Sequence, residues 1–513
     1  MEAEDEHHQD ACQDTEWSPN SPINHIPDEV LLEIFDTYRR VINSCDHQWR
    51  KKHVWIILTH VCRKWRAIMF ASASRLDLAI TVGPEKPDNI ETILSSPLQL
   101  PILIDYMWMY EEITDSALWR MGAALRYHDR VREIAFEGGS ANFEKFFEAT
   151  NCPFPILESL VFGFRRSDEA EIPDTFLRGP DQSVLRLRRL NLYGVSLTSI
   201  SGFLLSATAL TNLSLSIDTA FSSSTETSLL ACLQGMPSLG HLELDILSTP
   251  LDFASRPTPK DIVPLSKLTY FLYIGSSIFL DALVAGLSAP SLRDVNINYY
   301  LATVWPPFVH LSRFISEMEG RYHAVHASFQ GSGFHLSLLT QSECLSPCDP
   351  RFRLDSVSNC SPELIMQMSG ELSPMLTTVE ELRVTFDKIA VHVWVDNIPW
   401  RRFLQQFPNL KALQHEEPAD DLTFLPSLEE IVFGKNPLSI DESQRGPQLA
   451  AFQRFVSARQ QAGRPVKLFF GPSVDLSWMN PMWFFQIRLA SAFRAVAHPG
   501  EYRVTGSRIE HCW

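Results

Sequence analysis

The side chains able to do covalent or metal chemistry are present in this chain but are not spaced for it. Cys344, Cys348 and Cys360 follow His335 and could lend sulfur and imidazole to a zinc ion. Their spacing matches no standard pairing of zinc ligands, so loop thiols are expected instead. His415-Glu416-Glu417 starts like a zinc-protease helix but lacks the second histidine one turn later. No glycine-rich phosphate loop, dinucleotide fingerprint or G-x-S-x-G nucleophile elbow occurs. No pattern links any two of the many Asp and Glu residues into a general acid/base pair. The expectation is therefore no catalytic residue, no cofactor and no metal. The spacing that does stand out is that of association: apolar residues at helical intervals near the N-terminus, and at strand intervals beyond about residue 131.

Two amphipathic helices must position the first set. In INHIPDEVLLEIFDTYRR, from Ile23, Pro27 opens a helix, because its missing N–H would be unpaired there in any case. Asp28 and Glu29 suit the positive end of the helix dipole. Val30, Leu31, Ile34, Phe35 and Tyr38 recur at helical spacing. After a polar, basic stretch, Leu58, Val61, Cys62, Trp65 and Met69 form a second stripe, with Arg63, Lys64 and Arg66 off it. Two such helices could belong to any helical domain.

The order of residues narrows this. Ile26-Pro27-x-Glu29-Val30-Leu31-x-x-Ile34-Phe35, then Val61-Cys62-Arg63-Lys64-Trp65-Arg66, resembles the F-box, in particular the variant abundant in mushroom-forming (basidiomycete) fungi. The later RLDL at Arg75–Leu78 fits that group, although the linker between the two halves is longer than usual. The resemblance covers about residues 23–80. It implies a non-catalytic subunit of a ubiquitin ligase, docked on a Skp adaptor and through it on a cullin, that captures a protein substrate. Pro27, Leu31, Ile34, Phe35, Val61, Cys62 and Trp65 are the adaptor-interface candidates it implies, and some of them must also hold the module's own core together. A local excess of nine Lys/Arg over six Asp/Glu in residues 23–78 suits an acidic partner, or simply a solvated face.

Behind this module one pattern recurs, apolar-x-x-apolar-x-apolar. It starts at Val131, Leu157, Leu187, Leu210, Leu239, Leu268 and Leu292, at intervals of 23 to 30 residues, and resumes at Val379, Leu410 and Leu428. A strand alternates sides, so the last two apolar residues of each triplet share a core while the residue between them faces out. Helical stretches lie between, and a proline often precedes the strand (Pro155, Pro237, Pro290, Pro408, Pro426), where it is expected to end the preceding helix. One unit cannot bury its apolar face alone, but a stack can. The interval is close to the roughly 20–29-residue period of leucine-rich repeats. The Asn usual after the strand is missing from most units.

The expected fold is α/β: a small all-α module, then an irregular leucine-rich repeat solenoid with a mostly parallel sheet and helices on its outer face. The divisions read as an acidic tail at 1–20, the F-box-like module at 21–80, a connecting or capping segment at 81–130, repeats at 131–475 that lose their period at 300–378, and a C-terminal cap or tail at 476–513. Ala135, Val161, Asn191, Ser214, Glu243, Asn296 and Arg383 are the outward candidates for partner contact. Trp478, Met479, Met482, Trp483, Phe484 and Phe485 crowd around Pro481, as a cap on the repeat core or as an aromatic partner patch.

Composition agrees with this frame. The chain has 513 residues, 45% of them hydrophobic and 20% charged, enough for a large core. A net charge of −17 without a basic block argues against nucleic acid, whose binding needs Lys and Arg to displace phosphate counterions. The acidic start, MEAEDEHHQD, is unlike a secretory leader, and no long uncharged apolar run suggests a membrane span. The nine cysteines are then expected as reduced thiols in a cytoplasmic and/or nuclear protein. The alternative to the ligase reading is a non-catalytic interaction scaffold whose F-box-like helices are only structural.

Overall fold

A computed structural model of the chain describes residues 25–44, 58–73, 79–83, 91, 94–95, 99–106, 114–164, 172, 176–177, 186–217, 223–246, 262–299, 309–316, 318, 322–330, 333–340, 352–356, 365–366, 369–370, 372–386, 398–415, 425–433 and 454–470. The architecture is mixed α/β with a large, mostly parallel sheet, consistent with an α/β solenoid. The chain divides into two compact units: unit 1, residues 1–136 with 154–157, and unit 2, residues 137–153 with 158–513.

Unit 1 begins with α1 (Asp28–Ser44). Its first backbone bond runs from Leu31 N–H to the Pro27 carbonyl, 3.1 Å, so Pro27 sits just outside the helix, one position earlier than a first helical residue. Helix α2 (Arg63–Ala71) is N-capped by Cys62, whose Sγ accepts from Trp65 N–H at 3.4 Å. Lys64 ties the two together: its Nζ donates to the Ile26 carbonyl at 2.7 Å and lies 3.2 Å from Asp28 Oδ1. Both contacts satisfy groups around the N-terminus of α1.

Three parallel strands and a helix complete unit 1: β1 (Ile80–Val82), β2 (Ile102–Tyr106), α3 (Asp115–Leu125) and β3 (Val131–Gly138), whose first six residues belong here. Ile80 pairs with Ile102, and Ile104 with Ile134. The strand–helix alternation therefore starts before the first apolar triplet of the sequence pattern. Thr114 caps α3 through Ala117 N–H, and Arg130 closes the unit by donating to the Leu94 and Leu100 carbonyls at 2.7–3.2 Å.

Unit 2 carries helix α4 (Ser140–Ala149), β4 (Ser159–Phe164), β5 (Arg189–Tyr193), α5 (Leu197–Ser206), β6 (Asn212–Ile217), α6 (Ser223–Gln234), β7 (His241–Ile246), β8 (Val263–Pro264), β9 (Tyr270–Gly275), α7 (Ser277–Ala285), β10 (Leu287–Ser288), β11 (Asp294–Tyr299) and α8 (Val309–Ser316). Then follow β12 (Ala324–Gln330), β13 (Gly333–Leu339), β14 (Phe352–Ser356), α9 (Ser373–Leu376), β15 (Glu381–Phe386), α10 (Ile398–Leu404), β16 (Ala412–His415), β17 (Glu430–Phe433) and β18 (Lys467–Phe470). The sheet order is β4-β5-β6-β7-β9-β11-β14-β13-β12-β15-β16-β17-β18, and β8 pairs separately with β10.

Register stacks the triplets. Leu190, Leu213, Leu242, Phe271 and Val295 are successive cross-strand partners, and so are Leu192, Leu215, Leu244, Tyr273 and Ile297. All are buried, and each side chain contributes about 1.5–3 kcal/mol of transfer free energy. The first residue of each triplet closes a turn: Leu239 N–H bonds to Met236 O, Leu268 to Leu265, Leu292 to Ala289, Leu410 to Phe407 and Leu428 to Leu425, at 3.0–3.3 Å. Pro237, Pro290, Pro408 and Pro426 occupy the second position of four of these turns, where φ near −65° is required. They thus shape a turn beside the strand, a different task from ending a helix. Consecutive turns are laced together as Thr211, Gly240, Thr269 and Arg293 each donate to the preceding repeat, at 2.8–2.9 Å.

Between residues 300 and 378 the period is broken by an antiparallel strand. Strand β13 runs antiparallel to both β12 and β14, while β11–β14 and β12–β15 remain parallel. The buried row still continues through Leu354, Leu336, Ala327 and Val384.

Candidate functional site

In unit 1, two apolar stripes run along α1, one residue (100°) apart. Leu31 and Phe35, with Leu32, point into a core with Ile68, Met69 and Leu100, against which Ile26, Leu58, Trp65, Ala73 and Ile80 also pack. Phe35 meets Trp65 edge to face, with ring centroids 4.8 Å apart. Cys62 is buried at the cap of α2. The other stripe has no partner in that core: Val30, Ile34 and Tyr38 are 47%, 45% and 36% exposed, and Val61, in the turn before α2, is 46% exposed.

The seven candidate residues therefore fall into two sets. Leu31, Phe35 and Cys62 are buried, Trp65 is half-buried, and Pro27, Ile34 and Val61 face out. Sequence reasoning grouped Val30 and Tyr38 with the helix face but not with the site. The available signal was the doubled stripe, because a helix with one buried face needs only one. Trp65 Nε1 is buried without a hydrogen-bond acceptor, so the indole packs through its ring and not through its N–H.

In unit 2, the residues between the buried ones form a single row: Val161, Asn191, Ser214, Glu243, Leu272, Asn296, Arg353, Ser337, His326 and Arg383 are cross-strand neighbours in that order. Six of the seven outward candidates stand in it. The seventh, Ala135, belongs to unit 1 and is buried.

Around Glu243 the row is acidic and aromatic. His241 Nε2 lies 2.8 Å from Glu243 Oε1, and its ring stacks on Tyr270 at 4.1 Å. The His241 hydrogen bond, helped by Ser214, holds the Glu243 carboxyl below its usual range despite partial burial. Burial pushes the Tyr193 hydroxyl up, and the negative charges of Glu243 and Glu137 push the same way.

Around Ser337 the row has a different character. Ser337 Oγ is 2.7 Å from His335 Nε2, His335 Nδ1 is hydrogen-bonded to Asp355 Oδ1, and Arg353 Nε donates to Asp355 Oδ2 at 2.7 Å. Burial alone would raise the Asp355 pKa, but the hydrogen bonds and charges of His335 and Arg353 outweigh it and hold the group ionised. The hydroxyl–imidazole–carboxylate order resembles an acyl-transfer relay. Such a relay also needs paired N–H donors aimed at an oxyanion. The backbone amides of β13 are instead engaged in ladders on both sides. The network is placed to pin β13 to β14. His326 stands beside it, 5.9 Å from the His335 ring, with its pKa lowered by burial and then by the His335 and Arg383 charges.

Among the described residues, no group of three His, Cys, Asp or Glu could hold a metal ion. Cys344, Cys348, Cys360 and the aromatic segment 478–485 lie outside the described residues, as do the 1–20 tail and RLDL at 75–78. Among the described residues no helix is long and apolar enough to cross a membrane. The chain matches no protein-family model, and no curated protein matches it.

Proposed function

We propose that the chain is the substrate-recognition subunit of a Skp–cullin–F-box ubiquitin ligase, acting in the cytoplasm and/or nucleus. The α1–α2 module is its F-box and docks on the Skp adaptor; the unit 2 sheet is a degenerate leucine-rich repeat that holds a protein substrate. The observation that carries this reading is the second stripe of α1. After Leu31, Leu32 and Phe35 have built the module's core, Val30, Ile34, Tyr38 and Val61 remain as an apolar surface without a partner in it. Burying several half-exposed apolar side chains of this size supplies a few kcal/mol to association. The chain itself brings no catalytic group in this scheme. It works by proximity, holding a substrate lysine near a charged conjugating enzyme.

One observation favours the scaffold reading instead. The core of the helix pair includes Leu100 and packs Ile80, so α1 and α2 also serve the rest of unit 1. Co-expression of the full chain with a Skp adaptor separates the two. The ligase reading expects co-purification that is lost in Val30→Glu/Ile34→Glu and in Val61→Glu while the thermal transition stays in place. Absence of association by the wild-type chain would sink it; equal binding by the variants would sink the assigned face.

A further inference from the structure

Strands β12 and β13 form an antiparallel hairpin set into a mostly parallel sheet. Gln330 pairs with Gly333 at its closed end and Ala324 with Leu339 at its open end, and it lies between β15 and β14. Its inner side is apolar and buried, with Val325, Ala327 and Phe329 from β12 and Phe334, Leu336 and Leu338 from β13. That burial holds the hairpin closed. Its outer side carries two imidazoles, His326 and His335, with ring centroids 5.9 Å apart.

With both imidazoles neutral, charge on this side is balanced. On β14, Arg353 Nε lies 2.7 Å from Asp355 Oδ2, and Asp355 Oδ1 is taken by His335 Nδ1. On β15, Arg383 faces His326 across the ladder. Glu381, on the same side of β15, offsets that charge and lies 3.3 Å from His323 Nε2. On β13, His326 faces Ser337, whose Oγ is 2.7 Å from His335 Nε2. Within β12 the same side bears Ala324 and Ser328. Both carboxylates thus hold other basic groups. His326 faces His335 and Arg383, whose charges oppose a proton on it, as its partial burial does.

We propose that β12–β13 is an acid-sensitive hairpin, which opens as a unit of its own when His326 takes up a proton. Its internal pairing is local in sequence, so it can leave β14 and β15 while the repeats on either side stay closed. Opening carries the imidazole into water and away from the neighbouring cations. The open form therefore binds a proton more readily than the closed form, and acid shifts the balance towards it. The sign is that of a histidine held below 6.5 in the fold. The consequence is a break in the outward row between Arg353 and Arg383, the stretch that β13 and β12 supply. The device needs no adaptor and stands apart from the ligase reading.

Hydrogen exchange of the full chain tests this, read by mass spectrometry at about pH 7.5 and about pH 5.5 and corrected for the intrinsic rate. One pH unit below 6.5, protection over residues 324–339 is expected to fall by up to about tenfold, the most that proton uptake by the open form supplies there. Protection over β5, β6 and β7 is expected to stay within about twofold. His326→Gln takes no proton and is expected to keep 324–339 equally protected at both pH values. Arg383→Gln removes one opposing charge from an exposed position and is expected to reduce the fall. It carries the test if circular dichroism shows that His326→Gln does not fold. Unchanged protection over 324–339 overturns the proposal, and so does an equal fall over β5–β7, which means that the chain opens globally. A fall of wild-type size in His326→Gln, or in Arg383→Gln where that variant carries the test, overturns it as well.

Discussion

Leu31 and Ile34 lie three residues apart on one helix, yet their truncations should fail in opposite assays. Leu31 is completely buried between Phe35, Ile68, Met69 and Leu100. Leu31→Ala deletes buried methyl and methylene groups and leaves a cavity, a loss of about 2–5 kcal/mol. Ile34 keeps 45% of its surface in water in the free chain. Ile34→Ala should therefore change stability by no more than about 0.5 kcal/mol, as for other surface substitutions. On an adaptor, full burial of Ile34 would recover about half the transfer free energy of the side chain. That is about 1 kcal/mol, so its truncation weakens docking about fivefold. Denaturant unfolding reads the first quantity and calorimetric titration with a Skp adaptor reads the second. Leu31→Ala should shift the unfolding midpoint, and Ile34→Ala should shift the dissociation constant alone. Equal destabilisation by the two, or an unshifted midpoint for Leu31→Ala, would refute the division of α1 into a core stripe and a docking stripe.

Three further outcomes follow from individual residues. Trp65→Phe keeps an aromatic ring against Phe35 and removes a buried N–H without an acceptor. Loss of that unpaired donor should offset the smaller ring and leave the unfolding midpoint within about 1 kcal/mol of wild type, whereas Trp65→Ala loses about 3 kcal/mol or more. Gly194 has φ +66°, and a Cβ there would lie 2.7 Å from the Phe164 carbonyl oxygen. Gly194→Ala should cost at least about 1 kcal/mol in the same assay, and a neutral result would mean the turn after β5 is misplaced. Stability should fall on acidification in two windows. The His326 pKa is lowered from 6.5 in the fold, so the unfolded chain binds more protons below about pH 6.5 and stability is lost as pH drops into that range. The Glu243 carboxyl is lowered from 4.5, so its contribution is complete above that pH and is lost as pH falls through its folded value. His326→Gln should flatten the first slope and Glu243→Gln the second; unchanged pH profiles would contradict both environments.

Much of unit 2 was legible from spacing alone. The last two residues of the triplets beginning at Leu187, Leu210, Leu239, Leu268 and Leu292 lie on β5, β6, β7, β9 and β11, because strand alternation allows one side to be buried and a stack must bury the same side in every repeat. Helical periodicity in the same way marked α1, but it ran the second stripe through Val61 and Cys62, whereas Val61 lies in a turn and Cys62 is the extended N-cap of α2. What sequence could not divide was the apolar face of α1. Leu31 and Val30 are equally hydrophobic neighbours, and which of them enters the core depends on Ile80 and Leu100, far along the chain. The outward row was legible only in part for a related reason. Arg353 neighbours Asn296 because β14 inserts beside β11, and Ser337 and His326 follow because β13 and β12 fill the sheet out of chain order. Local pattern determines whether a residue points in or out, since that depends only on its own backbone. The side chain across the ladder is decided by strand order and register, which arise from contacts between distant segments and are written in no single one of them.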